Sequence, residues 1–275
     1  MRRLIADQRR GGIEGGQGVD QRVGTGWRHR AQHDVAAHPS HVDRRSFEAE
    51  LLRQPNGLAA ACCENFGGLL HGRTFFNDIA HGKYSADEIR WRIPSEITDF
   101  TEGADNLMFI SNHDENSWNG SEIERLGPAL EALAVLIFTI PGMPMLYSGM
   151  EAGNNRRLSF FDKDCIEWKP DKIAGLYTKL AYLRMRNLAM WSLQSKGDFK
   201  LLTTDHDDKI LCFKRESGLD EILVVLNLSA EKIDFSLTGQ GYQGSYKDVI
   251  TEMHVIMGDR PCFALEPWGF RLFEK

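Results

Sequence analysis

Residues 107–116 read Leu-Met-Phe-Ile-Ser-Asn-His-Asp-Glu-Asn, a short apolar run followed at once by polar residues. The run from Leu107 to Ile110 shows no alternation of polar and apolar residues, which is typical of a strand buried on both faces in a parallel sheet. A second apolar strand is predicted at Met145 to Tyr147, and Pro128 begins an apolar helix between the two. Strands, polar loops and helices in this alternation predict a parallel α/β architecture.

Helix boundary signals flank this region on both sides. Ser85 and Glu88 have the spacing of a capping box, which predicts a helix start, and Gly82 predicts the end of the preceding helix. Asp171 is placed to cap a third helix, whose last turn carries Arg184 and Arg186.

The pattern changes after Gly197 to short runs of β-formers separated by polar turns, which predicts an antiparallel β domain over residues 195–275. Residues 66–194 are then interpreted as the last β/α units of a barrel, because a full eight-stranded barrel takes about 250 residues. The strand candidates are Phe199 to Thr203, Ile210 to Lys214, Ile222 to Asn227, Ile233 to Leu237, Tyr246 to Ile250 and Phe270 to Phe273.

Composition excludes several functional classes. With 42% hydrophobic and 26% charged residues and a net charge of −6, the chain is typical of a globular protein and not of a nucleic-acid-binding one. Its most apolar run, Ala132 to Phe138, is too short to span a bilayer. The five cysteines lack metal-ligand spacing and indicate free thiols. Together with the absence of a signal-peptide core, they slightly favour the cytoplasm, but the sequence leaves the compartment undetermined.

Residues 1–65 differ from the rest, since all 12 lysines lie at Lys83 or later. Residues 1–45 also show no helical or strand periodicity. Three interpretations stay open: a disordered basic arm, a metal site built from the histidines of this segment, and a stretch translated in the wrong frame. The lysine gap favours the third. The histidines are His29, His33, His38 and His41.

Asn112, His113 and Asp114 follow directly after a buried parallel strand, where the catalytic groups of barrel enzymes gather. A carboxylate beside an imidazole can bind sugar hydroxyls and stabilise the positive charge of an oxocarbenium-like transition state. The structural alternative is that Asp114 caps a turn and His113 bonds a backbone carbonyl.

Four stretches carry a family resemblance. Phe109 to Asn116 resembles the fourth signature region of the α-amylase family (glycoside hydrolase family 13), and Gly142 to Glu151 resembles the segment on its eighth barrel strand. Ala152 to Trp168 is similar to bacterial members that act on maltodextrins, and Leu265 to Gly269 fits the final β domain. The resemblance implies the C-terminal portion of a (β/α)8 TIM barrel followed by a small antiparallel β domain.

The resemblance also implies roles and a ligand, an α-glucan or maltooligosaccharide. Asp114 matches the acidic residue that holds the 2- and 3-hydroxyls and stabilises the transition state, and His113 matches a histidine that bonds the same sugar. Asn112 counts among the substrate-binding residues, and Trp118 is a candidate for stacking on a sugar or for core packing. Glu151 is interpreted as structural, with Arg156 and Arg157 available to pair with it or with neighbouring acids. Calcium ligands of the family lie mostly in the N-terminal half, so no metal and no cofactor are predicted.

The family's retaining mechanism needs a nucleophile and a general acid about 5 Å apart. Neither motif is found: Asp34 lacks the expected arginine two residues before it, and Glu64 follows no buried strand. We therefore expect this chain alone to hydrolyse nothing. Because an open barrel exposes unpaired strand edges and apolar helix faces, we also expect it to fold poorly.

Three hypotheses follow: an α-amylase-type enzyme acting on α-1,4-glucosidic bonds and represented by an incomplete chain, a non-catalytic carbohydrate-binding protein, and an inactive gene remnant. The sequence does not distinguish a hydrolase from a transglycosylase, and it does not indicate the oligomeric state.

Overall fold

The computed structural model describes residues 73–98, 107–191 and 198–275, all within one structural unit. The interpretations of residues 1–65, with the four histidines, Asp34 and Glu64, lie outside the described residues. So does the proposed domain boundary near residue 195, which stays a prediction. No helix in the described ranges is long and apolar enough to cross a membrane.

The first described half is mainly helical. The helices are α1 (Arg73–Ala80), α2 (Ala86–Thr98), α3 (Glu122–Leu126), α4 (Leu130–Thr139) and α5 (Lys172–Arg186). Shorter turns are a π-helical turn at Glu115–Asn119 and 3-10 turns at Gly127–Ala129, Met150–Ala152 and Leu188–Met190.

Two predicted helix caps are confirmed. The backbone N–H of Glu88 donates to Ser85 Oγ at 3.2 Å, and the backbone N–H of Ser85 donates to Glu88 Oε2 at 2.8 Å. This reciprocal pair is the capping box that starts α2. Asp171 Oδ1 accepts from the backbone N–H of Ile173 at 3.0 Å and starts α5.

A short parallel pair of strands holds the helical part together. Strand β1 (Leu107–Met108) pairs in parallel with β2 (Met143–Pro144), and the backbone N–H of Met145 continues the ladder to Met108 O at 2.7 Å. The parallel arrangement is confirmed, but the predicted second strand at Met145 to Tyr147 was two residues too late. Pro144 misled the prediction because proline cannot donate to a ladder, and it was therefore placed in the link before the strand.

The second half is a β structure. Its strands are β3 (Asp198–Leu202), β4 (Ile210–Ser217), β5 (Asp220–Asn227), β6 (Ile233–Ser236), β7 (Gly244–Asp248), β8 (His254–Met257), β9 (Cys262–Leu265) and β10 (Phe270–Glu274). Six form one antiparallel sheet in the order β3-β4-β5-β10-β7-β8, and β6 pairs with β9 in a separate two-stranded sheet. The sequence prediction missed β8 and β9, since their four-residue runs show no clean alternation and take their order from neighbouring strands.

The central strands β4 and β5 lie between two cores. Phe213 and Val224 face the helices and join the core that contains α1, α2, α4 and α5. Cys212 and Val225 face the opposite way and join a second core with β6 and β9. Burial on both faces explains why these strands are continuously apolar, although they belong to an antiparallel sheet.

Arg215 on β4 joins the sheet to the helical part. Its side chain is fully buried, at 0% exposure. One terminal nitrogen donates to Thr139 O at 3.1 Å and to Ile140 O at 3.2 Å, and the other donates to Trp191 O at 3.0 Å. These carbonyls lie at the C-terminal end of α4 and after the Leu188–Met190 turn, where backbone acceptors lack intrahelical partners.

Replacing this guanidinium should destabilise the fold strongly. We expect Arg215→Met to lower the free energy of unfolding by about 3 kcal/mol or more, because buried carbonyls lose a charged donor. Urea unfolding of the full chain measures the change. The exposed Arg271 on β10 provides the control, and Arg271→Met should change the same quantity by less than about 0.5 kcal/mol. Equal effects of the two substitutions would contradict this role of Arg215.

Candidate functional site

Asn112 lies beneath the candidate site. The chain leaves β1 after Met108, and Asn112 follows four residues later with only 9% of its surface exposed. Its Oδ1 accepts from the backbone N–H of Glu115 at 2.8 Å, and its backbone carbonyl accepts from the N–H of Asn116 at 2.9 Å. Asn112 therefore caps the turn that carries the next two residues.

His113 and Asp114 project from this turn. Their side chains are 67% and 55% exposed, and His113 Nε2 lies 3.6 Å from Asp114 Oδ2. Asp114 has the N-cap position of the π-helical turn, yet its side chain makes no capping hydrogen bond. The side chain of Asp114 therefore does not cap the turn. Its carboxylate faces solvent beside the imidazole of His113.

A second loop, which follows β2, lies against the first. Asn116 is 1% exposed, and its amide reaches across to this loop. Its Nδ2 donates to Arg156 O at 3.0 Å, and its Oδ1 accepts from the backbone N–H of Leu158 at 2.8 Å. The side-chain amide of Asn116 therefore hydrogen-bonds to the backbone of the second loop as a peptide group would, and it holds the two loops together.

Aromatic side chains cluster where the loops meet. The rings of His113 and Phe160 are stacked with centroids 5.6 Å apart. The Trp118 ring lies 5.2 Å from that of Phe160 and 6.2 Å from that of Phe161. Trp118 was predicted either to stack on a sugar or to pack in the core. Its side chain is 57% exposed, so it does not belong to the core.

The arginines of the second loop do not pair with Glu151. Arg157 Nε donates to Glu124 Oε2 at 3.1 Å, and Arg156 pairs with Asp164 at 3.2 Å. The hydrogen bond from Arg157 holds the pKa of Glu124 below its usual range. Glu151 Oε2 instead accepts from the backbone N–H of Gly149 at 2.9 Å, within its own loop, which agrees with the structural role predicted for it.

Two charged residues of α3 are buried under the site. Arg125 donates to Ile110 O at 2.7 Å and to Asn77 Oδ1 at 3.0 Å, and so ties the segment that follows β1 to α1. Glu122 is 2% exposed. Burial raises the pKa of Glu122 above its usual range, with Arg125 opposing the shift and Glu151 adding to it.

This shift gives a pH dependence with a defined sign. Because the pKa of Glu122 is higher in the folded than in the unfolded state, folding favours its proton, and stability is lost as pH rises from 4.5 through the folded-state pKa. We expect Glu122→Gln to raise the thermal midpoint at pH 7 and to leave it nearly unchanged at pH 4. Calorimetry at both pH values measures this.

The exposed Glu167 serves as the control, since Glu167→Gln should shift the midpoint little at either pH. A lower midpoint of Glu122→Gln at pH 7 would contradict the interpretation and would mean that the carboxylate is stabilised by Arg125.

Sequence reasoning missed Asn116, Phe160 and Phe161 as parts of the site. Asn116 lies within the signature region, but its partners are 40 and 42 residues away in sequence, so the sequence alone gives no sign of its role. The only available signal was an Asn two positions after Asp114 and a pair of phenylalanines in a polar loop. Within the described residues, no group of three His, Cys, Asp or Glu side chains is arranged to hold a metal.

Comparison with known proteins gives matches in both halves. Residues 199–272 match the family model described as maltogenic amylase, C-terminal domain. A cyclomaltodextrinase of a Bacillus species is 35% identical over 100 residues, which are 34% of this chain and 17% of that protein. The maltogenic α-amylase of Bacillus acidopullulyticus is 22% identical over 160 residues, covering 56% of this chain and 26% of that protein.

A solved structure, the maltogenic α-amylase AmyB of Thermotoga neapolitana, superposes with a TM-score of 0.60 at 20% identity. The match covers 72% of this chain and 48% of that one. The chain thus spans about a quarter or less of the curated relatives named above and about half of this solved structure. The fold is a C-terminal portion of a TIM barrel followed by an antiparallel β domain, and the chain is similar to the C-terminal part of α-amylase family (glycoside hydrolase family 13) proteins.

Proposed function

We propose that the turn carrying His113 and Asp114 binds a glucosyl unit of an α-1,4-linked glucan, as part of a retaining α-amylase-type glycoside hydrolase site. The observation that carries the proposal is the exposed Asp114 carboxylate, which lies 3.6 Å from the His113 ring and is not used for capping. The pair follows the C-terminal end of a parallel strand, the edge at which barrel enzymes bind their substrates.

The chemistry of the pair suits a sugar. A carboxylate offers two oxygens to adjacent hydroxyl donors, and charged acceptors make the stronger hydrogen bonds. The same negative charge stabilises an anomeric carbon as it becomes positive in the transition state. His113 adds a ring nitrogen that can donate to a neighbouring hydroxyl. Asn112, buried under the turn, acts in this proposal by fixing the turn.

Cleavage needs two further carboxylates, one as nucleophile and one as general acid. Several acids on the segments around the site are engaged: Glu124 binds Arg157, Asp164 binds Arg156, and Glu151 binds the backbone of Gly149. Glu115 and the exposed Asp162 also lie on these segments, but neither stands in the motif that the family's nucleophile or general acid occupies. Glu122 is buried. We therefore place the nucleophile and the general acid outside the described residues, and a chain without them would act as a non-catalytic carbohydrate-binding protein.

Neutralising Asp114 tests sugar binding. We expect Asp114→Asn to raise the Kd for maltotriose and for maltoheptaose by about tenfold or more, since a hydrogen bond to a charged group contributes about 1.5–3 kcal/mol. Isothermal titration calorimetry on the full chain measures both constants. The matched control is Asp234→Asn, which removes an exposed carboxylate on β6. Unchanged affinity of Asp114→Asn, or no binding of either sugar by the wild type, would refute the proposal.

Hydrolysis is tested separately. We expect the purified chain to bind maltoheptaose without releasing reducing ends, because neither the nucleophile motif nor the general-acid motif of the family is found in the sequence. A reducing-sugar assay with chromatography of the products measures turnover. Cleavage by the wild type that is lost in Asp114→Asn would instead mean that the chain holds a complete catalytic set.

A further inference from the structure

Strand β8 forms one edge of the six-stranded sheet, and no other described segment pairs with its outer side. Two large apolar side chains are exposed there, Ile256 at 83% and Met253 at 66%. Unpaired edges invite pairing with another chain, and proteins usually protect them with charged residues or proline. The opposite edge, β3, carries the exposed Asp198 and Lys200, whereas residues 253–258 include no Asp, Glu, Lys, Arg or Pro.

The backbone groups of β8 alternate between the sheet and its edge. The N–H of Asp248 on β7 donates to Met253 O at 2.8 Å, whereas the N–H of the next residue, Val249, donates to β10. Hydrogen-bonded and non-hydrogen-bonded pairs alternate in an antiparallel ladder, so every second residue from Met253 onward bonds to β7. The residues between them, His254 and Ile256, therefore direct their N–H and C=O groups away from the sheet.

A second copy of β8 can pair with this edge in an antiparallel arrangement. In a dimer with two-fold symmetry, residue i lies opposite residue j and j lies opposite i. Groups that point outward must meet groups that point outward, so even-numbered residues lie opposite even-numbered ones. Near the middle of the strand this leaves three possible centres of symmetry, at which Val255, Ile256 or Met257 lies opposite its own copy.

Charged residues at the two ends of the edge select the centre at Ile256. There the exposed Glu252 lies opposite the exposed Arg260 of the second copy, and the pair occurs twice by symmetry. Moving the centre one residue forward sets Arg260 opposite His254, and moving it one residue back sets both charges opposite uncharged residues. Within its own chain Arg260 lies 3.4 Å from Asp205 and is 68% exposed, so its guanidinium retains donors for a second partner.

The centre of the pair is apolar. Ile256 would lie against Ile256 of the second copy, and β-branched cross-strand pairs stabilise antiparallel sheets. Met257, which faces the opposite side of the sheet, is 3% exposed and belongs to the second core. Packing therefore holds β8 in place, and pairing needs little further ordering of the strand.

We propose that the β8 edge is a homodimer interface, at which two copies of this chain pair their β8 strands about Ile256 and join their six-stranded sheets into one continuous sheet. The surface is self-complementary in hydrogen bonds, charge and apolar contact, as two-fold symmetry requires. Strands of four residues give a small contact, below about 1,200 Å² in total, so the dimer is weak and depends on concentration. The interface lies in the β domain, and its formation does not depend on sugar binding.

Reversing the charges tests both the interface and its register. We expect Glu252→Arg and Arg260→Glu each to raise the dimer Kd by about tenfold or more, because each turns two attractive pairs into two repulsive ones. The double variant should return the Kd to within about threefold of the wild-type value, since the pairs are restored with opposite polarity. Sedimentation velocity of the full chain from about 1 to about 100 µM measures the Kd.

Ile256→Lys tests the edge by a different route. It sets two ammonium groups opposite each other, and we expect it to abolish the dimer. Leu219→Lys is the matched control, because Leu219 is 97% exposed in the turn between β4 and β5, off the β8 edge, and it should leave the Kd unchanged. All four positions are exposed, so the substitutions are compatible with folding.

The outcomes decide the proposal. A wild type that stays monomeric up to about 100 µM would overturn it and leave the edge to a strand of another protein. A dimer that Ile256→Lys does not weaken would use another surface, which also overturns it. Loss of the dimer in both single charge variants without recovery in the double variant would refute the pairing about Ile256. Loss in the single variants with recovery in the double variant supports it.

Discussion

Backbone carbonyls from two chain segments converge on the guanidinium of Arg215, and the position of the sheet against the helices depends on this cation. Thr139 and Ile140 supply the negative end of α4, while Trp191 follows the turn that leads toward the sheet. Buried carbonyls are costly when they lack donors, and arginine, with five N–H groups in a planar fork, can serve several at once. Arg186, paired with Glu274, and Arg90, bonded to Leu202 O at 2.8 Å, support the same interface from α5 and α2.

The consequences of this anchor extend to the proposed site, because α4 is the link between the two parallel strands. Fixing the end of α4 near Ile140 limits where the chain enters β2, and the register of Met143 against Leu107 follows. Parallel strands release their loops at the same edge, so the segment after β1 and the segment after β2 lie side by side. Asn116 then joins them through a buried amide that bonds to the backbone on the other side.

Polar groups at this edge divide into two kinds. Asn112 and Asn116 are buried and satisfied by backbone partners, so they shape the loops. His113, Asp114 and Trp118 are exposed, and the proposed function assigns to His113 and Asp114 the contacts with the sugar. A rigid buried layer beneath exposed chemical groups is the arrangement that a preorganised binding site requires.

The sequence by itself determined the features that depend on local chemistry. These are the capping box at Ser85, the cap at Asp171, the parallel character of β1, the antiparallel second half and the family signature around Asp114. Tertiary structure decided the features that depend on distant partners. The β2 register, strand β9, and the contacts of Asn116 and Arg215 join segments tens of residues apart, and such pairings leave no periodic trace in the chain. Strand β8 pairs with nearby β7, but its four residues show no clean alternation of polar and apolar side chains. Local structure depends on residues that are close in sequence and can be predicted from them. A buried hydrogen-bond partner is determined only when folding brings two distant segments together.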